Sequence, residues 1–80
     1  TSNRVFCLVE DADGILWIGT NGGLNRFSPT TGEFSPVTTQ DGLPDDNIYG
    51  IVQDDDGNLW LSTNTGLAKY NPRTRAIRAY

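Results

Sequence analysis

The sequence repeats itself. Shifted by 43 residues, Arg4–Val37 (RVFCLVEDADGILWIGTNGGLNRFSPTTGEFSPV) lies over Asn47–Tyr80 (NIYGIVQDDDGNLWLSTNTGLAKYNPRTRAIRAY) without a gap, and twelve of the 34 pairs are identical. The identities differ in chemical kind: Val9/Val52, Asp11/Asp54, Gly14/Gly57, Trp17/Trp60, Asn21/Asn64, Pro29/Pro72. Others exchange like for like, such as Phe6/Tyr49, Arg26/Lys69 and Phe27/Tyr70. A period of this length belongs to helical arrays or to propeller blades. Nine glycines and four prolines are spread so that no helical apolar pattern survives between them. Short β-branched and aromatic runs sit between turn signals instead. The predicted strands are Val5–Glu10, Ile15–Thr20, Leu24–Phe27 and Phe34–Val37 in the first copy. In the second they are Ile48–Gln53, Asn58–Thr63, Leu67–Tyr70 and Ala76–Tyr80.

Four antiparallel strands per period describe a β-propeller blade. The fold class is therefore all-β, with blade 1 over residues 1–40 and a connector plus blade 2 over 41–80. The Asp-x-Asp-Gly runs at 11–14 and 54–57 supply turn chemistry. Gly14 and Gly57 can take positive φ, and Asp11 and Asp54 can cap free turn amides. Asn-Gly-Gly at 21–23 and Asn-Thr-Gly at 64–66 turn the next corner, where Asn21 and Asn64 are expected to act as caps. Trp17 and Trp60 sit mid-strand and are expected to fill the space between blades, rather than to serve as sugar-stacking platforms.

The motif D-x-D-G-x-L-W-[IL]-[GS]-T-N-x-G-L is written twice, at Asp11–Leu24 and Asp54–Leu67, each time followed by a basic residue, an aromatic and Pro. It resembles the two-component regulator propeller repeat, and Gly42-Leu43-Pro44 before the second copy fits the same pattern. The resemblance implies a ligand-sensing, periplasmic region of a hybrid histidine kinase responding to polysaccharide fragments. Such regions carry many blades followed by other domains. This chain has two blades and no His, so it cannot autophosphorylate on histidine.

Charge and composition exclude other classes. Six basic against ten acidic residues give a net charge of −4, which disfavours nucleic acid. The lack of His removes the usual general base and most zinc chemistry. Cys7 alone closes no disulfide within the chain and leaves the redox compartment unreadable; it reads as a buried inert thiol. No run approaches the length of a membrane span, so no direct membrane contact is expected. No cofactor is implied. A calcium loop begun at Asp54 would need Gly at position six and Glu at position twelve, where Leu59 and Thr65 stand. Glycosidase carboxylates are also disfavoured: Asp41, Asp45, Asp46 and Asp54–Asp56 fall in connectors, and the strands expected near a channel are apolar.

Two expectations concern partners. Both faces of a blade need a neighbour, so an isolated two-blade chain is expected to close a ring by head-to-tail self-association. Rings hold typically 4–8 blades, which admits two, three or four copies, with three or four favoured. Missing blades of a longer polypeptide are the alternative. Lys69, Arg73, Arg75 and Arg78 cluster opposite the acidic stretch from Asp41 to Asp56 and could steer such docking. For a ligand, an oligosaccharide above all, the strand two–three turns and the connector share one face of the disk. That face brings Asn21, Gly22, Asn64, Thr65 and Asn47, with Asp45 and Asp46, to one mouth of the channel. The alternatives to a sensor segment are a structural self-assembling module and, more weakly, a propeller lyase or hydrolase.

Overall fold

The computed structural model describes residues 4–80 and contains eight strands. The first sheet is the meander β1 (Val5–Glu10), β2 (Leu16–Thr20), β3 (Gly23–Ser28) and β4 (Glu33–Val37). The second is β5 (Ile48–Gln53), β6 (Leu59–Thr63), β7 (Gly66–Tyr70) and β8 (Ile77–Ala79). All pairings are antiparallel between chain neighbours. The expected strands hold, with β1 and β5 at the expected limits. The ends at Thr20, Val37, Thr63 and Tyr70 also hold, and the other limits move by one residue; turn glycines 23 and 66 join the ladder while Ile15 and Asn58 remain in turns.

Each innermost strand carries a bulge at the same place, between Val5 and Cys7 in β1 and between Ile48 and Gly50 in β5. The extra residues are Phe6 and Tyr49, whose ring centroids lie 4.9 Å apart and link the two inner strands.

The register decides which face each residue occupies, because side chains alternate across a strand. On one face of the first sheet stand Cys7, Val9, Trp17, Gly19, Leu24 and Val37. The opposing face of the second sheet presents Ile51, Leu59, Leu61, Ala68 and Tyr70. These residues form one buried cluster with Ile48 and Leu43, and Trp17 meets the Tyr70 ring edge-on at 5.6 Å. Trp17 is 1% exposed. Leu43 reaches the core from the connector, where Thr38 and Asp41 form a capping box around a short 3-10 turn, Thr39–Asp41, closed by Gly42.

The outer faces are bare. Val5, Leu8 and Phe34 are exposed on the first sheet, and Val52, Leu67 and Tyr80 on the second. Trp60 was expected between blades. It lies on this second open face, half-buried under Tyr80 at 5.4 Å and with the Lys69 ammonium 5.4 Å above its ring.

Candidate functional site

The strand directions put two kinds of loop at opposite ends of the sheets. One end holds the β1–β2 and β5–β6 turns, where each Asp serves with both oxygens. Asp11 Oδ1 accepts the amides of Asp13 and Ile15 at 2.9 and 3.0 Å, and its Oδ2 accepts the Trp17 indole N–H at 2.8 Å. Asp54 repeats this with Asp56, Asn58 and Trp60 at 3.0, 2.9 and 3.0 Å. The amide caps follow from turn chemistry. The indole bond is the new element, and it ties each turn to a tryptophan on the following strand. Gly14 and Gly57 hold φ of 81° and 84°, as that turn requires.

The Trp60 indole, with the turn amides behind it, holds the Asp54 carboxyl below its ordinary 3.8. A depressed carboxylate stabilises the fold above its ordinary pKa, and that contribution is lost as pH falls through the depressed folded value. Acid titration followed by fluorescence in a Trp17→Phe background, where Trp60 is the remaining indole, should therefore show a transition with its midpoint below 3.8 that Asp54→Asn removes. A midpoint at or above that value would contradict the clamp.

The other end holds the expected mouth. Asn21, Asn64 and Thr65 are exposed, while Gly22 and Asn47 are half-buried. The caps here differ from expectation. Thr20 and Thr63, not the asparagines, cap these turns: Thr20 Oγ1 accepts the Gly22 amide and donates to the Gly23 carbonyl, and Thr63 does the same for Thr65 and Gly66. A threonine hydroxyl can donate and accept at once, which suits a corner with one free amide and one free carbonyl. The Asn64 side chain is thereby released from the structural duty assigned to it.

The connector lies beside the second turn. Thr65 Oγ1 reaches the Pro44 carbonyl at 3.5 Å, and Asp45 Oδ1 accepts both the backbone and side-chain N–H groups of Asn47 at 3.2 Å. Asp45 Oδ2 is buried and has no hydrogen-bond partner among the described residues. Asp46 is engaged with the Thr39 amide at 2.9 Å. So the structure brings Asn47, Asn64 and Thr65 together around Pro44–Asp46, with Asn21 and Gly22 on the adjacent blade.

Cys7 is half-buried and its Sγ–H lies 3.8 Å from the Ile48 carbonyl, across the blade junction. Burial pushes its thiol upward against the lowering effect of the Gly19 amide, which keeps it protonated at neutral pH. The basic cluster read from sequence is divided by the register. Lys69 and Arg78 lie on the open face of the second sheet, whereas Arg73 and Arg75 join Arg26 at the outer edge of the junction.

Two four-stranded antiparallel meanders packed face to face, inner strand beside inner strand, define a pair of β-propeller blades. The two-component regulator propeller model matches residues 1–22 and 42–65. The chain belongs to that family. It is similar over its whole length to the extracellular domain of BT3049 from B. thetaiotaomicron, described as a hybrid two-component system, with 31% identity and a TM-score of 0.94. It spans 11% of that domain. Two extracellular-domain structures of BT4673 from the same organism, described as a one-component system in one and a hybrid two-component system in the other, share the fold. Their TM-scores are 0.79 and 0.55 at 19% and 21% identity; each match covers 96% of this chain, and 11% and 18% of theirs. No curated protein matches the chain.

Proposed function

We propose that the chain is a non-catalytic sensory segment of an extracellular or periplasmic two-component propeller, with an oligosaccharide-binding surface at the connector end. What supports a binding surface there is the exposed Asn64 side chain, relieved of turn capping by Thr63, beside Thr65 and the connector carbonyl of Pro44. An amide side chain offers both a donor and an acceptor, which matches the donor–acceptor character of sugar hydroxyls. Asn21, Gly22 and Asn47 extend the same surface. The lyase or hydrolase alternative gains no support, because Asp11 and Asp54 are committed to turn amides and indoles.

Amide chemical shifts recorded during titration with neutral gluco-, xylo- and manno-oligosaccharides test this. Perturbations should centre on residues 21–22, 45–47 and 64–65, and Asn64→Ala should weaken binding about fivefold to tenfold, the worth of one hydrogen bond. Silence with all three series, or shifts confined to the opposite end, would reject the site.

A structural self-assembling module is the second reading. What favours it is the correspondence between the bare faces and the packed ones. Leu8, Ile18 and Phe27 stand on the first open face at the repeat positions of Ile51, Leu61 and Tyr70 in the packed face, and Val52 and Trp60 on the second open face at those of Val9 and Trp17. A second copy of the chain therefore meets the same chemistry that already holds the two blades together. Three or four copies would give six or eight blades.

A further inference from the structure

Three of the chain's six basic residues meet at the outer edge of the blade junction. Arg26 on β3 and Arg73 and Arg75 in the β7–β8 turn line a groove of about 320 Å³ whose walls include Ser35 and Ile77. That volume lies at the lower end of small-ligand sites. No ion pair or side-chain hydrogen bond engages the three guanidinium groups among the described residues. Asp41 also lines the groove, but its Oδ2 accepts the Thr38 amide within the connector's capping box. Tyr70 completes the floor. Burial raises its hydroxyl pKa; Arg75 and Arg26 pull it down and Asp41 pushes it up, so the groove's charges of both signs reach that oxygen.

The repeat separates what the blade needs from what has been added. At the positions of Arg73 and Arg75 the first blade has Thr30 and Gly32, so the blade architecture does not call for charge there. Gly32 has φ of 76°, and Arg75 occupies the same left-handed conformation at 64°. It is the one non-glycine residue with positive φ among those described. That conformation is unfavourable for a long side chain. An arginine is thus held at a strained position, beside two others, on a chain whose net charge is −4.

We propose that this groove binds a compact ligand bearing two or more oxyanion groups, gripped by Arg26, Arg73 and Arg75. Each guanidinium presents a planar fork matched to carboxylate or phosphate oxygens, and three forks around one cleft select multiple charge over a single anion. The groove lies between residues of β4 and β8, with Asp41 of the connector on its border, and shares no lining residue with the Asn47, Asn64 and Thr65 surface.

Calorimetric titration of the full chain with citrate and with pyrophosphate, using neutral cellobiose as control, tests the proposal. One anion per chain should bind in the millimolar range or tighter, weakening as salt is raised, with the better of the two assigning carboxylate or phosphate chemistry. Arg26→Gln should weaken binding about tenfold, the scale of one lost charge-assisted contact. Arg75→Gly restores the residue of the first blade; it should raise thermal stability and still weaken binding, which separates ligand contact from folding. Arg78→Gln, which removes equal charge outside the groove, should leave affinity unchanged. Failure of both anions to bind the folded chain, unchanged affinity in Arg75→Gly, or an equal loss in Arg78→Gln would overturn the site.

Discussion

Gly19→Ala is expected to destabilise the chain by about 2–3 kcal/mol, a large effect for one methyl group. Gly19 lies on β2 directly against Ile48 of β5 in the partner sheet. A Cβ built there would sit 2.4 Å from Cys7 Sγ, 2.6 Å from the Ile48 carbonyl oxygen and 2.9 Å from Ile48 Cγ2. The thiol could rotate away. The carbonyl is backbone on the partner sheet, so relief requires the blades to separate, which breaks the contacts around Trp17 and Tyr70. The repeat provides its own control. Ser62 occupies the corresponding position on β6 and faces the open side, so Ser62→Ala should stay within about 0.5 kcal/mol in a chain whose flank is free. Chemical denaturation of the two variants gives the comparison. Equal stability for Gly19→Ala and the parent would mean that the sheets do not approach as closely as described.

The second large effect is on association. At micromolar concentration the chain should sediment as a closed assembly of three or four copies, and a single Leu8→Asp substitution should abolish it. Leu8 is 60% exposed in the isolated chain, so the change leaves the internal core intact. In the assembly it would bury a carboxylate at the position that Ile51 fills in the packed junction, at a cost of several kcal/mol per interface. The two tryptophans report the same event. Trp17→Ala should cost about 3–5 kcal/mol at any concentration, because its site is already closed. Trp60→Ala should approach that figure only where copies associate, and fall well below it in a dissociated chain. A well-folded, monodisperse monomer at micromolar concentration would defeat the self-assembly reading while leaving the family assignment untouched.

The blades were legible because repetition and turn chemistry act locally. Asp-x-Asp-Gly needs positive φ at its glycine whatever surrounds it, and strands of alternating pattern flank it in both copies. The Asp–Trp bond carried a visible signal too, a six-residue spacing written twice, but only the strand's emergence from the turn shows that the indole comes back over the carboxylate. The asparagine caps failed for a comparable reason. Thr20 and Asn21 are both competent caps, and the backbone path alone decides which side chain faces the free amide. Leu43 was hidden in a polar connector, since nothing local says that one residue of it will turn inward. The basic cluster failed at register: Arg73 and Arg78 are five residues apart, yet a turn and the pleat of β8 send one to the rim groove and the other to the open face. Arg26, far away in sequence, could join the groove only once the sheets were packed.

The likeness between the packed junction and the bare flanks bears on how such proteins grow. Each blade presents a neighbour with the same pair of surfaces, so in a closed ring duplicating or deleting one unit of sequence would alter the circumference without requiring any new surface to be invented. Selection can therefore tune the width of the central channel in whole-blade steps, while substitutions at a single seam, such as the arginines gathered beside Tyr70, change one recess and leave the others alone.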